Sequence, residues 1–170
     1  MSMKNLSVEE LAKLISPSSQ AVQELRRRGV LRTKNTVGEL GEYYAIQFYN
    51  KIDPTKFVAK KKLPNLTKAG ITTKNVDALS RDGKIYSIKT VSSFNGTTGS
   101  FWDPEGIKNN KKTFDCLSIV ILNDEYSVEM ILELTWDDFM KNKSYNSRMN
   151  NFNISVTKKL IEEFKVIYKK

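Results

Sequence analysis

The chain has 170 residues, with 28 Lys plus Arg against 19 Asp plus Glu and a formal net charge of +9. That length suits one compact domain with or without a small helical extension and argues against two full domains, and the charge makes a polyanion the first partner to consider. Histidine is absent and Cys116 is the single cysteine, which removes Ser/His/Asp and Cys/His nucleophilic machinery, an internal disulfide and the usual zinc cages; hydrolysis would fall to carboxylates, lysine and a hard metal ion.

No run approaches the roughly 20 apolar residues of a membrane span, and no apolar leader with a cleavage pattern follows Met1, so the expectation is a soluble, cytoplasmic protein with no membrane partner. Ser7 and Glu10 are spaced as a capping box ahead of Leu11, Leu14 and Ile15, which predicts a short helix over about 8 to 15, broken by Pro17. Ser18 or Ser19 caps a second helix through Ala21, Val22 and Leu25, with Gly29 as its stop. Residues 1–33 thus read as a helical hairpin and 34–170 as the core. Arg26, Arg27, Arg28 and Arg32 make the hairpin either a DNA-contacting extension or a pair of helices with a solvated basic face.

From Thr36 to about Lys51 the positions Val37, Leu40, Tyr44 and Phe48 recur at helical spacing, with Gly38, Gly41 and Ala45 interleaved so that the helix can approach a sheet closely. Glu39 and Glu42 lie near its start, either as working carboxylates or as favourable first-turn residues. Phe57-Val58-Ala59 suggests a strand running into Lys60, Lys61 and Lys62. Two strand hairpins follow, Asn75 to Arg81 with Lys84 to Ser92 and Phe114 to Leu122 with Ser127 to Leu134, separated by a long Ser/Thr/Gly-rich loop over Ser92 to Gly106. Thr135 and Asp138 can cap a short helix, Asn153 to Val156 reads as a last strand, and Thr157 to Tyr168 as a helix through Leu160, Ile161, Phe164 and Ile167. The class is mixed α/β, or α+β, around one sheet.

The first hairpin carries the chemistry. A two-residue Asp82-Gly83 loop would set Asp77 opposite Ile88 and Val76 opposite Lys89, mixing charge and apolar groups on both faces. A three-residue Arg81-Asp82-Gly83 loop with Gly83 left-handed pairs Val76 with Ile88 and Ala78 with Tyr86. It leaves Asp77, Leu79, Ile85, Ser87 and Lys89 on the other face, with Asp77 across from Ser87 and one step from Lys89. An acid and an amine on one surface patch suit metal-assisted phosphodiester hydrolysis, or form an ordinary ion pair on a solvated sheet.

The run Val37-Gly38-Glu39-Leu40-Gly41-Glu42-Tyr43, then Asn75-Val76-Asp77 and Tyr86-Ser87-Ile88-Lys89, resembles the PD-(D/E)xK superfamily of restriction-endonuclease-like nucleases, in particular its small prokaryotic members. Phe114-Asp115-Cys116-Leu117 and Asp124-Glu125-Tyr126-Ser127-Val128 extend the resemblance over roughly Glu24 to Lys158. It implies a restriction-endonuclease-like core, a central mixed sheet of about five strands flanked by helices. It also implies Asp77 as metal ligand and Lys89 as motif lysine. Ser87 departs from the pattern, since Glu or Gln usually stands there; Glu39 or Glu42 would then supply the second carboxylate, with Glu42 favoured as the direct ligand, and Ser87 would at most hydrogen-bond a water.

The resulting expectation is a Mg²⁺-dependent (Mn²⁺ as substitute), restriction-type endonuclease acting on double-stranded DNA as a homodimer, because one centre ordinarily cuts one strand. The rival is a degenerate DNA-binding protein of the same fold. Arg27, Arg28, Arg32, Lys60, Lys61, Lys62, Lys111, Lys112 and Lys158, with Lys108 and Lys159, are candidate phosphate contacts or plain solubilising charges. Phe101 and Trp102 either stack on bases or tuck into the core. Target sequence, DNA against RNA and a companion methyltransferase stay open at this level.

Overall fold

The computed structural model describes residues 7, 19–51, 65–70 and 75–170. The predicted helix over 8 to 15, the Phe57-Val58-Ala59 strand and Lys60, Lys61 and Lys62 lie outside the described residues. Helix α1 (Gln20–Arg27) starts where Ser19 accepts from the Val22 amide, and the chain leaves it through Gly29 at φ +71°. Both ends match the sequence expectation, because a hydroxyl satisfies an orphan amide at one end and a glycine, with no β-carbon to clash, turns left-handed at the other.

Helix α2 (Thr36–Tyr49) begins at Asn35, whose side chain accepts from the Gly38 amide at 3.1 Å. A side chain at Gly38 would collide with that capping amide. Gly41 is the close approach to the sheet: a β-carbon there would sit 1.9 Å from Thr90 Oγ1.

The sheet is mixed and has six strands, in the order β1 (Leu66–Lys68), β2 (Ala78–Ser80), β3 (Ile85–Val91), β4 (Cys116–Leu122), β5 (Val128–Thr135) and β8 (Lys165–Lys169). Only β3 and β4 run parallel; every other neighbouring pair is antiparallel. The crossover between them holds the long loop and helix α3 (Pro104–Lys108). Strand β4 is buried on both faces, which explains its unbroken apolar run Leu117 to Leu122 apart from Ser118.

One face packs against α2 through Ala45, Ala78, Ile88, Val120 and Ile131. The opposite face is filled by an aromatic group, Phe101, Phe114, Trp136 and Phe139, with Ile119 and Leu132. Each fully buried side chain of this kind contributes roughly 1.5–3 kcal/mol, so the sheet is fixed from both sides. Phe101 is wholly buried while Trp102 beside it is 56% exposed, which divides the two loop aromatics between core and surface.

Helix α4 (Trp136–Asn142) carries the expected Thr135/Asp138 capping box. Two short strands, β6 (Ser144–Asn146) and β7 (Asn151–Asn153), pair apart from the main sheet. The last strand expected at Asn153 to Val156 is therefore shifted: Ile154 and Val156 are buried, and Ser155 bridges Thr97.

The terminal helix is shorter than its periodicity suggests. Helix α5 (Lys158–Glu163) stops at Phe164, and β8 follows as the sixth strand on the open edge of β5. Val166, Ile167 and Tyr168 suit a strand as well as they fit an amphipathic helix, and the unpaired edge of β5 decides between them. No helix among the described residues is long and apolar enough to cross a membrane.

Candidate functional site

The hairpin has the register that the face argument favoured. Ala78 pairs with Tyr86 and Leu79 with Ile85. Gly83 has φ +84° and donates to Ser80 O at 3.1 Å, and the Ser80 amide donates to Lys84 O at 3.0 Å. Beyond Ala78 the regular ladder ends: the Asp77 amide donates to Tyr86 O, and the Ile88 amide turns to the Asp77 carboxylate at 2.6 Å. Asp77 thus uses its side chain to complete the edge of β3 where the partner strand leaves it.

Ser87 is fully buried and its hydroxyl donates to the same Asp77 Oδ2 at 3.2 Å. This corrects one expectation. The face carrying Ser87 is covered by core rather than solvated, and Ser87 bonds the aspartate itself, a role the sequence pattern does not give it. Two donors on Oδ2 hold the carboxylate in one orientation and leave Oδ1 without a hydrogen-bond partner among the described residues. Two positions on, the Lys89 ammonium lies 5.0 Å from the centre of the Phe101 ring, a cation–π contact that helps to hold it in place.

Helix α2 supplies the glutamates, with distinct duties. Glu39 is 3% exposed and accepts from the Arg32 backbone amide, so it fixes the segment between α1 and α2. Glu42 faces a cavity, with Lys68 Nζ at 3.1 Å and Arg32 Nη2 at 3.4 Å from its Oε2. Burial raises the Glu42 carboxyl above its ordinary value, the nearby Lys68 opposes that, and the Asp77 charge adds to it. Arg32 also donates to Ala69 O at 3.0 Å, tying the helical segment to the strand edge.

Two neighbouring cavities share this wall. The smaller, about 170 Å³, is lined by Arg32, Glu39, Glu42 and Asp77 among others. The larger, about 390 Å³, is lined by Glu42, Asp77, Lys89, Ser100 and Trp102 among others. Helix, strand edge and strand therefore bring Glu42, Asp77 and Lys89 to one cavity, with Arg32 alongside Glu42.

The remaining basic residues are dispersed. Arg27 and Arg28 each lie 2.7 Å from Glu24 and hold its carboxyl down at about 2 through hydrogen bonds. Lys112 pairs with Asp115 at 2.7 Å, Lys158 opens α5 in solvent, Lys159 pairs with Glu163, and Lys108 with Glu105. Lys111 lines a separate cavity beyond Trp102. Burial pushes the Cys116 thiol up, which suits an unreactive cysteine.

Sequence reasoning missed Lys68 and Asn75. Lys68 is the outward end of β1, and only the tertiary approach of α2 gives it Glu42. Asn75 stands at φ +57° and clamps Trp102 from both sides, donating to its carbonyl at 2.7 Å and accepting from its amide at 2.9 Å. Its one visible signal is residue type, since asparagine tolerates the left-handed region.

No protein-family model matches the chain, and no curated protein matches it in sequence. Among the described residues no group of three or more cysteine or acidic side chains is placed to hold a metal. Glu42 and Asp77 are two carboxylates that line one cavity.

Proposed function

We propose that the chain is a metal-dependent endonuclease of restriction type with a restriction-endonuclease-like core, hydrolysing phosphodiester bonds of double-stranded DNA as a homodimer. The observation that carries this reading is the single cavity that Glu42, Asp77 and Lys89 line together. The net charge of +9 favours a polyanionic substrate.

The donor set fits Mg²⁺, with Mn²⁺ as substitute: two oxygen ligands of opposite charge to the cation, repelling one another across a space with room for water and phosphate oxygens. When bound, such an ion supplies phosphate polarisation and a more acidic water. The protein's own part is positioning. Ile88 and Ser87 hold the Asp77 carboxylate still, Glu42 provides the second oxygen donor, and the Lys89 ammonium meets a phosphate oxygen or the attacking water. Arg32 and Lys68 add positive charge on the same wall, where it offsets a phosphate.

A second reading is a DNA-binding protein that has kept the fold and lost the reaction. Ser87 favours it, being buried and bonded to Asp77 where the resembled pattern has a carboxylate or amide, and so do the two cations that already neutralise Glu42. Incubating the protein with mixed-sequence plasmid in Mg²⁺, in Mn²⁺ and in EDTA separates the two. Cleavage that EDTA abolishes supports the nuclease; retention of plasmid without cleavage in either metal supports the binding protein.

A further inference from the structure

The third cavity opens on the far side of Trp102. It measures about 560 Å³, and its wall includes Asn75, Trp102, Lys111, Thr113 and Met149. Trp102 also lines the cavity of Glu42, Asp77 and Lys89, so a single indole borders both spaces.

Three features of this wall point to a ligand. Trp102 is 56% and Met149 62% exposed, two large apolar side chains presented to solvent beside a space wide enough for a planar ring. The Trp102 backbone is clamped on both sides by the Asn75 amide, so the indole stands on a fixed support and loses little freedom on binding. Lys111 is exposed and has no carboxylate partner among the described residues, whereas Asp103, the acid on this wall, is engaged as the cap of α3 with Gly106 N at 3.1 Å.

An aromatic face beside a cation suits a nucleotide. We propose that this cavity takes an unpaired nucleobase of the DNA strand whose phosphate lies at Glu42, Asp77 and Lys89. The base stacks on Trp102, and Lys111 meets the adjoining phosphate. This assignment rests on the DNA reading above and deepens it, because it has the double-stranded substrate present a turned-out nucleotide next to the phosphate held at the site. Stacking accepts any base, so the cavity adds affinity without fixing a sequence.

The test runs in EDTA, so that binding is read apart from cleavage. Fluorescence anisotropy compares labelled oligothymidylate, an abasic oligomer of equal length and a fully paired duplex on the full chain, with Trp102→Ala, Trp102→Phe and Lys111→Ala variants. Trp102→Ala should weaken oligothymidylate binding by about 5- to 150-fold, the range of one base stacked on an aromatic ring. Trp102→Phe should restore most of it, and the abasic oligomer should bind the wild type and Trp102→Ala alike. Oligothymidylate binding unchanged by Trp102→Ala overturns the base cavity, and if the duplex still binds with a steep salt dependence the DNA reading stands without it. Equal losses for abasic and thymidylate oligomers also overturn it, and no binding to any of the three overturns both readings.

Discussion

The Asp77 carboxylate accepts the Ile88 amide at 2.6 Å, so one oxygen of the candidate metal ligand is also a structural partner of β3. Removing the side chain therefore does two things at once. Asp77→Ala leaves that amide and the Ser87 hydroxyl unpaired, at a cost of about 1–3 kcal/mol for an unsatisfied buried group. Asp77→Asn keeps an acceptor and removes the charge. Thermal unfolding should show a clear drop for the alanine variant and a smaller one for asparagine, while both lose cleavage; equal stability of Asp77→Ala and wild type would contradict the hydrogen bond.

Ser87→Glu, attractive on the sequence pattern, should fail. The position is fully buried against core and beside Asp77, so a carboxylate there meets desolvation and like charge together. Denaturant titration should show a loss of several kcal/mol or no folded protein, and a well-folded variant with tighter Mn²⁺ binding would show that the site opens more than this packing allows.

Gly41 is held to glycine by Thr90. An added methyl would lie 1.9 Å from Thr90 Oγ1 and 2.8 Å from Cγ2, and overpacking of this kind costs typically 1–3 kcal/mol. Gly41→Ala should lower the unfolding midpoint, and Thr90→Ala in the same chain should recover part of the loss, since it removes the two nearest contacts and leaves Thr90 Cβ at 2.9 Å.

The hairpin was legible because its loop length and its alternation agree: Arg81-Asp82-Gly83 demands the register that also sorts Ala78, Tyr86 and Ile88 onto one face. Helix α2 was legible for the same reason, its glycines and its apolar stripe both indicating close packing. What the sequence hid are features set by partners distant along the chain. Ile167 continues the helical period of Leu160, Ile161 and Phe164 and still falls in a strand, because the edge of β5 offers that segment hydrogen bonds. Glu39 and Glu42 share a helix face on paper, yet the Arg32 amide claims one and leaves the other to the cavity. The burial of Ser87 depends on Phe101 and its neighbours returning over the sheet, which no local pattern announces.

Glu42 gives a pH dependence with a definite sign. Its carboxyl is raised in the folded protein by burial, so the folded state holds its proton more tightly than the unfolded chain. Stability from this group is therefore full below the ordinary glutamate value of 4.5 and falls as pH rises from there through the raised folded value. Unfolding midpoints of wild type and Glu42→Gln, measured across that window, should diverge in favour of the glutamine variant as pH rises. Parallel curves would mean that Lys68 and Arg32 cancel the burial completely. Mn²⁺ affinity should climb over the same window, because the metal competes with the proton.

Cleavage of supercoiled plasmid in Mg²⁺, followed side by side for wild type, Asp77→Asn, Glu42→Gln and Lys89→Met, tests the nuclease reading most directly. The account predicts that wild type cuts, that EDTA stops it, and that each of the three variants cuts slower by orders of magnitude while remaining folded and bound to DNA. Wild-type rates in any one of the three folded variants would contradict the shared site, and no cleavage by the wild type in Mg²⁺ or Mn²⁺ would leave a DNA-binding protein in place of an enzyme.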